Sequence, residues 1–166
     1  MLEMLQIITV LLVAIAMSLS LAHALEFPGK LRLSREQYLT VQPIYYPGFT
    51  IGGAAEPLAI IMTALLLFLI PAGSTPFWLT VAALATLVIM HAAYWLLVHP
   101  VNNFWLKDFK LKGVGQGFFG FDPLGRTEGA AEPEWTQLRD RWEYSHIIRA
   151  VFGFAGLTLL VSALAD

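Results

Sequence analysis

Trp135, Arg139, Trp142, His146 and Arg149 follow one another at steps of 4, 3, 4 and 3 residues, the spacing of a single stripe on an α-helix. An imidazole beside a guanidinium can remove a proton near neutral pH and hold the negative charge that results. The same steps continue to Gly153, Gly156 and Leu160, so the stripe passes from charge to small residues that let a second helix approach closely. Residues 147–164 are almost wholly apolar, which carries Arg149 to the edge of a membrane span. An unpaired cation at the centre of a span costs roughly 3 kcal/mol or more, and a polar row there is a candidate functional site.

Other polar groups fall at the same depth. His23 ends the first apolar stretch, Glu56 starts the second, His99, Asn102 and Asn103 end the third, and His146 and Arg149 begin the fourth. His91 lies two turns deeper than His99, with Trp95 between them, a polar and aromatic stripe able to face the one on helix four. Each of these residues also has a simpler use. His23, His99, Trp95, Trp105, Trp135 and Trp142 suit a membrane interface. Glu56 complements a helix N-terminus, and Arg139 and Arg141 alternate with Asp140 and Glu143 as on a solvated ion-pair face. The strict register on helix four is what these simpler readings leave unexplained.

The elements that must position these groups follow from composition. With 57% hydrophobic and 13% charged residues over 166 positions, and a mean hydropathy of +0.66, the chain reads as an all-α integral membrane protein. We expect one domain over residues 1–166, a four-helix bundle with spans at about 5–25, 52–70, 77–98 and 146–164. Each suits a hydrocarbon core about 30 Å thick. Helix four extends back to about residue 134, which makes it roughly 45 Å long and lets it project from the bilayer. Pro57 after Glu56, Pro76, and Pro133 between Glu132 and Glu134 mark first turns. Ala22-His23-Ala24 resembles a signal cleavage site, but Glu3 is the sole charge before it and no positive n-region is present. The stretch therefore reads as a retained span.

Four spans put all ten Lys and Arg on one side, in or bordering residues 26–46 and 102–144. The positive-inside rule makes that side cytoplasmic, in a plasma or inner membrane, with both termini outside and a long cytoplasmic loop between helices three and four. The loop's Gly113-x-Gly115-x-Gly117 run lacks the strand and helix that a nucleotide site requires. With Phe118, Phe119 and Phe121, it reads as a loop with aromatic interface anchors. A net charge of -2 gives no basic surface for nucleic acid, and the absence of cysteine removes disulfides, thiolate metal sites and thiol nucleophiles.

His99-Pro100-x-Asn102-Asn103-x-Trp105, then Trp135-x3-Arg139-x2-Trp142-x3-His146-x2-Arg149, resembles the signature of the small four-helix membrane proteins grouped with anthrone oxygenases. The resemblance covers about the C-terminal half, and His146 stands where many members carry Asn. It implies oxidation of a flat hydrophobic or phenolic substrate by molecular oxygen, with no metal, flavin or other cofactor. On that resemblance His146 is the base, Arg149 the electrostatic stabiliser and Asn102 or Asn103 a hydrogen-bond donor. Trp135, Trp142, Trp95, Arg139, His99 and Glu56 then complete the substrate site. The expected partners are the lipid bilayer and a small hydrophobic molecule. Two other classes stay open. His23, His91, His99 and His146 with Glu56 and Glu143 could ligate a metal or haem, although Glu143-x-x-His146 occurs once where di-iron bundles use two such pairs. Alternatively, the Gly/Ala faces and the charged loop serve an accessory subunit packed against neighbouring membrane subunits.

Overall fold

The structure, a computed structural model, describes residues 2–105 and 134–166, apart from the side chain of Asn103. The glycine- and phenylalanine-rich connection and Pro133 lie outside the described residues. So does the side chain of Asn103, one of the expected site residues.

The elements are α1 (Leu2–Lys30), α2 (Arg35–Val41), a 3₁₀ turn (Gln42–Tyr45), α3 (Gly48–Gly53), α4 (Ala55–Leu67), α5 (Thr75–Ala93), a π-helical turn (Tyr94–Val98), α6 (His99–Trp105) and α7 (Trp135–Ala165). No strand occurs among the described residues. Four helical runs are long and apolar enough to cross a membrane: Leu2–Lys30, Gly48–Leu67, Thr75–Asn102 and Trp135–Ala165.

Local chemistry sets several of the ends. Ser34 and Gln37 form a reciprocal capping box at the start of α2, each side chain bonding the other's backbone N–H at 3.0–3.3 Å. Ser74 caps α5 by accepting from the Phe77 N–H, with Pro76 in the first turn where its missing donor is not needed. The turn between α4 and α5 uses Gly73 at φ +83°, a conformation glycine adopts without steric cost. α1 runs past its apolar stretch to Lys30, whose ammonium pairs with Glu26 one turn back at 3.0 Å.

α7 is the central helix, wedged against α1 and α5, and its small residues make the wedge possible. A Cβ at Gly153 would stand 3.2 Å from both Met17 Cβ and Met90 Sδ, and one at Gly156 would stand 2.8 Å from Thr86 Oγ1. Close backbone approach of this kind is how helices associate where lipid removes the hydrophobic drive. Val13, Ala59, Ala83, Leu87 and Leu160 fill the middle of the bundle. Tyr38, Val98, Val101, Trp105, Leu138 and Trp142 close one end.

Pro100 explains the π-helical turn. It has no N–H to give to the Leu96 carbonyl four residues back, and its ring crowds that carbonyl. The turn widens so that the His99 N–H reaches Tyr94 O, and Arg141 Nη2 of α7 donates to the Leu96 carbonyl at 2.7 Å. Arg141 thus does more than belong to a solvated ion-pair face. It supplies the donor that Pro100 lacks and pins α7 to the turn that lines the site.

Candidate active site

A cavity of about 450 Å³ lies between α1, the 3₁₀ turn, α3, α4, the π-helical turn and α7, a size suited to a small polycyclic molecule. Of the residues expected at the site, His146, Arg149, Asn102, Trp142, Trp95 and Glu56 line it. Trp135, Arg139 and His99 do not. Arg139 turns instead to its neighbour Asp140, Nε to Oδ1 at 2.8 Å, and lies over the Trp135 ring at 5.2 Å. His99 packs its ring against Trp95 at 4.8 Å, so it supports a wall from behind.

The deep end of the cavity holds a chain of polar contacts across three helices. Trp95 Nε1 donates to His91 Nε2 at 3.0 Å, which leaves the hydrogen of neutral His91 on Nδ1, 3.0 Å from Glu56 Oε1. Glu56 Oε2 accepts from Arg149 Nη2 at 2.5 Å. Glu56 and Arg149 are 3% and 8% exposed, so this is a buried ion pair that binds α4 to α7 with no net charge. Arg149 is therefore a structural clamp as well as a candidate electrostatic group. Its plane lies 5.2 Å from the Tyr94 ring, and its Nε has no hydrogen-bond partner among the described residues.

Arg149 Nη1 stands 3.2 Å from His146 Nδ1. Arginine can only donate, so Nδ1 accepts and the hydrogen of neutral His146 sits on Nε2. That Nε2 is buried and has no hydrogen-bond partner among the described residues. The His146 ring lies against both Trp142 and His23, centroids 4.2 Å away and planes tilted by 59° and 44°. Asn102 Oδ1 accepts from Trp142 Nε1 at 2.8 Å, so its oxygen fixes the indole.

The residues left outside the expected substrate site come mainly from α1 and the segment after it. His23 lies in a box of rings formed by Tyr45, Phe49, Trp142 and His146, with centroids 4.2–4.8 Å away. Behind this box, Lys30 Nζ sits 3.0 Å from Glu26 and 3.5 Å from Glu143, above the rings of Tyr45 and Trp142. Tyr45 donates to Glu26 Oε2 at 2.5 Å, and Tyr38 donates to Glu143 Oε1 at 2.8 Å. Burial first, then the carboxylate each hydroxyl faces, pushes both phenols above their ordinary value of 10.0. The one sequence signal for this cluster is the spacing of His23, Glu26 and Lys30 on one face of α1. Among the described residues, no three His, Asp or Glu side chains are grouped so as to hold a metal ion.

The family described as anthrone oxygenase matches residues 47–159, more than half of the chain. The chain belongs to the anthrone oxygenase family. The match spans the helices that carry Glu56, His91, Asn102, His146 and Arg149 in this anthrone-oxygenase-like protein, whereas His23, Glu26, Lys30 and Tyr45 precede it. No curated protein and no solved structure matches the chain.

Proposed function

We propose that this protein oxidises a flat, hydrophobic phenolic substrate with molecular oxygen, without metal or flavin, inside the aromatic cavity. The observation that carries the reading is the contact between His146 and Arg149 on the cavity wall. A ligand oxygen that draws Arg149 Nη1 to itself frees the His146 Nδ1 lone pair to take a proton from the neighbouring acidic carbon. The carbanion that forms is an enolate whose charge rests on that oxygen, where Arg149 holds it. An electron-rich enolate can reduce oxygen directly. One electron passes to O₂, the two radicals combine at carbon, and the peroxide takes up the proton first removed. Loss of the second carbon proton then expels hydroxide as the carbonyl forms, so CH₂ and O₂ become C=O and H₂O. Trp142 and Trp95 flank the ring, and Asn102 holds Trp142 in place. Membership of the family supports the reaction class.

The test is oxygen consumption by the protein in detergent with anthrone as probe. His146→Gln is expected to lower kcat by about 10²-fold or more with the bundle still folded. Turnover retained in that variant removes His146 from the role of base.

A further inference from the structure

We propose that His23 is a proton relay linking His146 in the cavity to Glu26 at the polar edge of the bundle. Its catalytic consequence rests on the oxygenase reading, but the relay itself does not. The two rings are in contact, centroids 4.2 Å apart and planes tilted by 44°, and each presents a buried nitrogen with no hydrogen-bond partner among the described residues: Nε2 on His146 and Nδ1 on His23. His146 Nε2 carries a hydrogen, and His23 carries its own on Nδ1, the nitrogen toward Glu26, which leaves the lone pair on its Nε2. Such orphans are rare in a folded interior and call for an explanation. His23 is 5% exposed, yet its Nδ1 lies 3.7 Å from Glu26 Oε2, a gap that a small rotation or one water closes. The Glu26 side chain is 41% exposed, so it is the cluster's contact with solvent. Tyr45 and Lys30 hold it in place through the same Oε2.

An imidazole that receives a proton on one nitrogen can release one from the other. A proton arriving at His146 Nδ1 lets the hydrogen on its Nε2 pass to His23 Nε2, and His23 passes the hydrogen on Nδ1 to Glu26. No electron moves and no covalent bond other than N–H and O–H changes. The charges facing His23 give the relay a purpose. Arg149 and Lys30 lie on either side, with His146 and Tyr45 in contact, and Glu56 is committed to Arg149. A proton resting on His146 would sit beside the Arg149 cation. Moved to Glu26, it leaves the enolate facing Arg149 alone, and it returns by the same path to the peroxide.

The relay is tested first without substrate, by ¹⁵N spectra of histidine-labelled protein in detergent. His146 is expected to show a fixed, slowly exchanging Nε2–H. His23 is expected to exchange its ring proton with water too fast for a cross-peak, and Glu26→Gln to slow that exchange by at least roughly tenfold. A purely packing role for His23 predicts no effect of that substitution. A protected His23 N–H in the wild type, unchanged in Glu26→Gln, overturns the proposal. With anthrone as probe, His23→Gln should lower kcat by about 10²-fold with KM nearly unchanged. Imidazole added to His23→Ala should restore part of the turnover, and Glu26→Asp should retain most of it. A His23→Gln kcat within about threefold of wild type also overturns the relay. A wild type that consumes no oxygen with anthrone sinks the oxygenase reading, and the exchange data then decide the relay on their own.

Discussion

Removing the Glu56 carboxylate should expose how strongly the clamp between α4 and α7 depends on charge balance. In Glu56→Ala the Arg149 guanidinium, 8% exposed and 2.5 Å from the lost oxygen, is left as a buried cation without a counter-ion. His91 Nδ1 loses its acceptor at the same time. Deleting one partner of a buried pair costs about 3–5 kcal/mol, because the remaining charge keeps its desolvation penalty. For a chain of this length that lowers Tm by about 6 to 20 °C. Replacing both partners, as in Glu56→Gln with Arg149→Met, removes both charges, keeps an amide oxygen for His91 to bond, and should recover most of the loss. The assay is thermal unfolding in detergent followed by tryptophan fluorescence. A loss below about 1 kcal/mol in Glu56→Ala, or a double variant no more stable than Glu56→Ala, refutes the reasoning. The double variant also separates fold from chemistry, because it should be folded and inactive.

Gly156→Ala places a methyl 2.8 Å from Thr86 Oγ1 and 3.3 Å from Leu87. It should cost about 1–3 kcal/mol, whereas Gly53→Ala, with nothing within 4 Å, should unfold at nearly the wild-type temperature. Arg141→Leu should cost about 0.5–1.5 kcal/mol in the wild type by leaving the Leu96 carbonyl without its donor at an exposed contact. It should cost much less in a Pro100→Ala background, where residue 100 regains an N–H, and equal costs in the two backgrounds would contradict the cause assigned to the π-helical turn. The phenols of Tyr38 and Tyr45, both raised by burial, keep their protons in the folded chain at a pH where the unfolded chain ionises. Their stabilisation is complete below pH 10 and is lost as pH rises above it. Unfolding temperature should therefore drop above pH 10, with a shallower drop in Tyr38→Phe.

The stripe of α7 is legible because helical register is a local property. Steps of 3 and 4 put Trp142, His146, Arg149, Gly153 and Gly156 on one face, and all five are buried. The outer end of the same stripe is not, because the cavity stops at Trp142 and Arg139 has Asp140 beside it to satisfy its charge. The partner of Arg149 lies 93 residues away, a separation that no periodicity encodes. Helical spacing let the stripes carrying His91 and Arg149 face each other, but only packing of α4 puts Glu56 between them. His23 looks interfacial from sequence, since a lone histidine near a helix end carries no motif. Pro100 was visible in sequence, but its effect on the turn depends on Arg141 arriving from another helix.

The balance between Glu56 and Arg149 has an electrical consequence. One negative and one positive charge at nearly the same height add no net charge to the bundle interior. A neutral ligand docking against them moves none through the transmembrane field, where each elementary charge carried across would couple to the potential by about 2.3 kcal/mol per 100 mV. Occupancy of the cavity should then be the same in an energised membrane and in one whose gradient has collapsed. The protein can take up its ligand without drawing on the ion gradients around it.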